Sequence, residues 1–193
     1  MKIVLSAILF FFAGGPANGV YVESLEEIEK RLEEMSLKRL ARVQADPNQK
    51  PAPFVTDGCS GGMSEGWQYV AGVFPSFDAK FGDRPPWERC CVEHDRIYWR
   101  GEVIDGYTKR KKADEMLKKC VRDSGKAMRE ELSEELDASP EQIESAFAVA
   151  AELMYKAVRV GGKPCTIFSW RWGYGWSLCP VFGRLPDDVQ IVE

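Results

Sequence analysis

Six cysteines and one histidine carry most of the chemistry open to this sequence. The histidine, His94, is followed at once by Asp95 and preceded by the pair Cys90-Cys91, which puts an imidazole, a carboxylate and two thiols within one short run. An imidazole works as a general base near neutral pH, best when a second carboxylate orients it. Neighbouring residues on a helix project about 100° apart. Cys90 and Cys91 therefore cannot share one partner, and each must staple its helix to a different piece of chain. The candidates are Cys59, in a Gly-rich stretch, and Cys120. By the same rule His94 and Asp95 aim at different neighbours. With Asp95 toward the Gly-rich stretch and His94 toward the segment carrying Asp114, one side supplies backbone carbonyls and the other a carboxylate. That is a hydrolase geometry.

The elements that must position these groups follow from pattern. Trp87 to Arg100 has no breaker until Gly101, and Pro85-Pro86 sets up its start, so the first central helix carries the Cys90 to Asp95 run. A second helix is expected from about Lys111 to Leu136, with Met116, Leu117, Cys120, Val121 and Met128 as its apolar stripe and Gly125 as a point of kinking or splitting. Ser139-Pro140 with Gln142 opens a third helix; Ile143, Phe147, Ala150, Met154 and Val158 face inward, and Gly161-Gly162 ends it. The stretch from Thr56 to Asp83 reads as a long structured loop, of the kind that binds ligands. Phe168, Trp170, Trp172, Tyr174 and Trp176 alternate with small or polar residues, a period of two that predicts extended chain, which a bond between Cys165 and Cys179, if formed, would fold back into a small β-hairpin. Such an aromatic stripe is either a packed face or a lipid-insertion surface.

Upstream, Ser24 with Glu27 forms a capping-box signature, and Leu25, Ile28, Leu32, Met35 and Leu40 recur at helical spacing, so residues 20–45 form an amphipathic arm. The arm is read as a solvated helix with one packed side, with an interfacial helix or an inhibitory pro-segment as alternatives. Residues 46–53 hold Pro47, Pro51 and Pro53 and form a linker; the main domain is expected over 54–182 and a tail over 183–193. Lys2, the apolar stretch Ile3 to Ala13 and the small residues Gly14 to Gly19 have the layout of a secretory signal, cleaved after Ala17 or Gly19. The run is shorter than the ~20 residues that span a bilayer. An even cysteine count in an exported chain implies disulfides.

Within these elements, Cys90-Cys91-Val92-Glu93-His94-Asp95-Arg96-Ile97-Tyr98 resembles the active-site helix of the secreted phospholipase A2 family, a Cys-Cys-x-x-His-Asp-x-x-Tyr pattern. Asp57-Gly58-Cys59-Ser60-Gly61-Gly62 resembles the family's calcium loop, and Asp114 stands at the family's spacing before Cys120. The likeness runs from Asp57 to Cys120, about a third of the chain. It implies a mainly α fold of disulfide-linked antiparallel helices with a calcium-binding loop. It also implies the pairs Cys59–Cys91 and Cys90–Cys120, which leave Cys165 to Cys179. Ile97 and Ala113 stand where many animal members carry a bonded cysteine pair, and both partners are missing together. The Asp57-Gly58-Cys59 order is closer to microbial members, so the resemblance implies Asp57, the Gly58 carbonyl and Asp95 as calcium ligands, with the Ser60 and Gly62 carbonyls as the animal-type alternative.

What the resemblance implies chemically is a calcium-dependent phospholipase A2. In it, neutral His94 removes a proton from water, Asp114 fixes the imidazole, Tyr98 holds Asp114 by a hydrogen bond, and Ca²⁺ stabilises the ester oxyanion. Tyr107 is a weaker candidate for the role of Tyr98. Calcium takes 6–8 oxygen ligands, which Asp side chains and loop carbonyls supply, whereas zinc would need Cys or His. The expected partner is a phospholipid aggregate or membrane surface, and the expected state a secreted, periplasmic or extracellular monomer. A formal charge of −4 argues against nucleic acid, whose affinity comes from clustered Lys and Arg. The run Lys109-Arg110-Lys111-Lys112 reads as a solvated helix start. The rival reading is a non-catalytic lipid- or protein-binding module on the same scaffold.

Overall fold

The computed structural model describes residues 24–59, 64–82 and 84–180. The expected signal segment 1–19, the loop residues Ser60, Gly61 and Gly62, and the tail 183–193 lie outside the described residues. Within them the fold is helical, with no strand: α1 (Leu25–Ala45), α2 (Ser64–Val73), α3 (Pro75–Phe81), α4 (Glu88–Arg100), α5 (Gly106–Leu136) and α6 (Pro140–Gly161). No helix among the described residues is long and apolar enough to cross a membrane.

Both expected capping boxes form. Ser24 and Glu27 close the start of α1, Ser139 and Gln142 that of α6, and each pair satisfies two amides that a helix start leaves open. All five residues expected inside α6 are buried. The second central helix begins five residues earlier than Lys111, at Gly106, where a side chain would collide with Leu37 of α1. It runs unbroken past Gly125. That glycine serves close approach instead of a kink, since a Cβ there would lie 2.5 Å from Cβ of Phe147 on α6. Met116, expected on the apolar stripe, is half exposed.

Residues 56–83 are not one long loop. Trp67, Val70, Phe74, Phe77 and Phe81 recur three and four residues apart, and they form two short helices, α2 and α3, that pack with Trp87 on Phe147, Ala150 and Met154 of α6. Pro75 separates them and starts the second.

The aromatic segment is not a hairpin either. Its amides cap α4: the Gly173 N–H donates to the Tyr98 carbonyl at 2.7 Å and that of Gly175 to Trp99 at 3.2 Å, while the Trp176 indole donates to the Arg100 carbonyl at 3.1 Å. Carbonyls left open by the last helical turn thus take the donors that a strand ladder would need. Gly173 holds a left-handed φ of +77° for this, with Gly101 so close that a Cβ on Gly101 would strike its Cα.

On α1 the packed side differs from the expected stripe. Leu37 and Leu40 are buried, but Leu25, Ile28, Leu32 and Met35 face solvent. The docked face is instead acidic: Glu26 meets Lys111, Glu29 meets Arg159 and Lys163, and Glu33 meets Arg110. The docked side thus joins these ion pairs to an apolar contact, with Leu37 and Leu40 in one cluster with Tyr98 and Trp172.

Candidate active site

Three disulfides hold the surroundings, paired as the resemblance implies: Cys59–Cys91, Cys90–Cys120 and Cys165–Cys179. The first two fasten α4 to the 54–59 segment and to α5, in the turn before His94. Because Cys90 meets Cys120 while His94 meets Asp114, α4 and α5 run antiparallel.

His94 and Asp114 are buried, and His94 Nε2 lies 2.8 Å from Asp114 Oδ1. A carboxylate only accepts, so Nε2 carries a proton and donates it; in the neutral ring the lone pair then stands on Nδ1. Nδ1 is itself buried without a hydrogen-bond partner among the described residues. A buried acceptor left unpaired is costly and marks a place where a proton donor belongs. The Tyr98 hydroxyl donates to the same Oδ1 at 2.6 Å, and its ring lies against that of His94 with centroids 4.1 Å apart. Burial, then the Asp114 charge, pushes the Tyr98 phenol well above its ordinary value, so it stays a donor. Tyr107 is placed elsewhere, with the Arg159 guanidinium over its ring.

Sequence reading missed the other half of Asp114's environment. Oδ2 accepts from Arg159 at 3.1 Å and from Arg110 at 3.4 Å. Arg110 has no exposed surface, so the basic run is not a solvated helix start: Lys109 pairs with Glu102, Lys111 with Glu26, and Arg110 turns inward. The signal was available, since Arg110 and Asp114 stand four apart on one helix face. Burial works against the Arg110 charge, but its hydrogen bond to Glu33 and the charges of Glu33 and Asp114 outweigh it and hold the guanidinium above its usual value.

On the other flank, Asp95 Oδ2 accepts from the Thr56 hydroxyl at 2.6 Å, and that hydroxyl oxygen accepts from the Gly58 amide at 3.1 Å. Thr56, which nothing in the motif singled out, ties the segment to α4. Burial raises the Asp95 carboxyl to about 6; the Thr56 bond and the His94 charge oppose this, and the Asp57 charge adds to it. Asp57 and Asp95 line one cavity of about 220 Å³ with Thr56, Trp170 and Tyr174. Gly58 does not line it. His94 lines a different cavity, of about 450 Å³, with Ile97, Ala113, Met116 and Leu117.

The two carboxylates, Asp57 and Asp95, offer oxygen only, the chemistry of a hard cation and not of zinc. Among the described residues no three His, Cys, Asp or Glu side chains cluster as a metal site, so carbonyls would have to complete the shell. The arrangement can therefore orient an imidazole for proton transfer on one flank and present two carboxylates to one cavity on the other. Comparison with family models, curated proteins and solved structures finds no match to this chain.

Proposed function

We propose that this protein is an exported, calcium-dependent hydrolase of the phospholipase A2 kind, cleaving a fatty-acyl ester of glycerophospholipids. The observation that carries the reading is the buried His94 Nε2–Asp114 bond with Nδ1 left unpaired. Most buried side-chain nitrogens are paired, so an imidazole fixed at Nε2 and open at Nδ1 favours a ring that acts on a further partner.

In this reading His94 Nδ1 takes a proton from water as the water oxygen bonds to the acyl carbon. The ester C–O bond then breaks, and His94 returns the proton to the departing glycerol oxygen, giving fatty acid and lysophospholipid. Asp114 fixes the tautomer and stabilises the imidazolium, and Tyr98 keeps Asp114 in place. Asp57, Asp95 and the Gly58 carbonyl would hold calcium, which when bound supplies positive charge to the oxyanion and the phosphate. The three disulfides support an oxidising compartment. The substrate would be met as an aggregate or membrane surface, by a monomer.

A second reading, a non-catalytic binding module, is favoured by one feature: His94 and the Asp57/Asp95 pair line separate cavities. Fatty-acid release from mixed phospholipid micelles, measured with calcium and with chelator, separates the two. Calcium-dependent release lost in His94→Gln supports the enzyme. Calcium binding without turnover supports the module and rejects the enzyme.

A further inference from the structure

Arg110 divides its guanidinium between two carboxylates. Its Nε and one terminal nitrogen donate to the two oxygens of Glu33 at 2.6 and 2.5 Å, a bidentate fork from α5 to α1. The other terminal nitrogen reaches Tyr98 Oη at 3.2 Å, the Val158 carbonyl at 3.1 Å and, longest of the three, Asp114 Oδ2 at 3.4 Å. Glu33, Arg110 and Asp114 are each at most 1% exposed, so water does not substitute for any of these bonds.

This division bears on His94. Arg110 and Asp114 lie four apart on the same helix, at a spacing where an arginine fork readily closes on a carboxylate. A closed fork would draw on both Asp114 oxygens, including the one that His94 and Tyr98 use. Glu33 occupies the fork's outer edge and leaves Asp114 a single long contact. Charge leads to the same place: Arg159 also pairs with Glu29 at 3.0 Å, but Arg110 pairs with Glu33 and Asp114, so without Glu33 its whole charge would fall to Asp114.

We propose that Glu33, on the N-terminal arm, is a positioning residue of the site: by holding Arg110 it keeps Asp114 on His94. The arm is then a working part of the site, neither a removable pro-segment nor a passive spacer. The catalytic consequence rests on the reading of His94 as general base, while the geometric claim does not.

The sole histidine makes this testable without substrate. Imidazole ¹⁵N and ¹H resonances of uniformly labelled full-length protein, at one fixed pH, report the tautomer and the Nε2–H hydrogen bond of His94 directly. In wild type the Nε2–H form with a downfield proton is expected. Glu33→Gln should weaken and shift that signal and raise the Nδ1–H form, and Glu33→Gln/Arg110→Gln, with no fork left to compete, should restore it. Where hydrolysis is seen, Glu33→Gln should lower kcat about tenfold or more with KM within about twofold, and the double variant should recover most of the loss. An unchanged His94 signal in folded Glu33→Gln overturns the proposal. So does an equal change in the single and double variants, which would trace the effect to loss of α1 docking. If Glu33→Gln does not fold, Glu33→Asp takes its place, because it keeps the charge but is one methylene short of both Arg110 nitrogens; an unperturbed signal there overturns the proposal as well. Absence of turnover in wild type with the expected resonances would reject the phospholipase reading and leave Glu33's role standing.

Discussion

His94 Nε2 and Asp114 Oδ1 meet at 2.8 Å inside a buried cluster at the edge of a cavity, joining the two central helices at the point where the chain's single imidazole lies. Asp114 is committed on both oxygens, to His94 and Tyr98 through one and to two arginines through the other.

Asp114→Asn tests that pair. The amide cannot accept on both sides, so the imidazole loses its fixed tautomer and Arg110 and Arg159 lose a counter-charge. Turnover is expected to fall by about two to four powers of ten. Removing one member of a buried charge cluster also costs about 3 kcal/mol of stability. Fatty-acid release and urea unfolding measure the two losses separately, and near-wild-type turnover would remove the pair from the mechanism.

Much of this site was legible because short-range rules determine it. The 100° step between neighbours sends Cys90 and Cys91, and then His94 and Asp95, to different partners, and the structure shows them there. Most of the misses share a cause, a partner distant in sequence, and one has a local cause. Arg110 reads as one lysine-like charge in a basic run until Glu33 is brought to it from α1. The aromatic alternation of 168–176 reads as a strand until the carbonyls ending α4 claim its amides. For α2 and α3 the period was present in Trp67, Val70, Phe74, Phe77 and Phe81, but glycines and Pro75 hid it. In α1 only Leu40 of the expected stripe is buried, and the docked side is the one whose Glu26, Glu29 and Glu33 meet cations distant in sequence.

Asp95→Asn separates the cation flank from the imidazole flank. Asp95 is raised from 3.8 to about 6, chiefly by burial. The folded state therefore binds this proton more tightly than the unfolded state. The stability it contributes is fully present below about pH 4 and is lost as pH rises through about 6, an effect of up to about 3 kcal/mol. Without calcium, Asp95→Asn should melt higher than wild type at pH 7.5 and level with it near pH 4, since Asn can still accept from Thr56. Calcium at pH 7.5 should raise the wild-type melting temperature and leave that of the variant unmoved. Equal calcium shifts in both would take Asp95 out of the ligand set.

Gly125→Ala weighs two opposed effects on α5. Alanine improves helix propensity by up to about 1 kcal/mol. Its Cβ would stand 2.5 Å from the Phe147 Cβ, and forcing the α5–α6 interface apart costs about 1–3 kcal/mol. The second effect should win, giving a lower urea midpoint at an unchanged m-value. A gain in stability would show that the two helices are free to shift.

Removing the Cys165–Cys179 bridge by a double Ser replacement tests how the aromatic segment is held. The bridge closes a separation of 14 residues, for which the loss of chain constraint is worth about 3 kcal/mol. The effect should also be local. The segment within that loop supplies Gly173 and Gly175 to the Tyr98 and Trp99 carbonyls and packs Trp172 edge-on against Tyr98, with ring centroids 5.1 Å apart. Hydrogen exchange of the Gly173 and Gly175 amides should accelerate more than that of the α5–α6 core, because these bonds end in a segment that the bridge restrains. His94 lies one turn before the capped end of α4, and two other disulfides fix that turn, so its bond to Asp114 should survive at 25 °C while the melting temperature falls. If the glycine amides exchange no faster than in wild type, the buried Trp172 and not the disulfide is what holds the cap on α4.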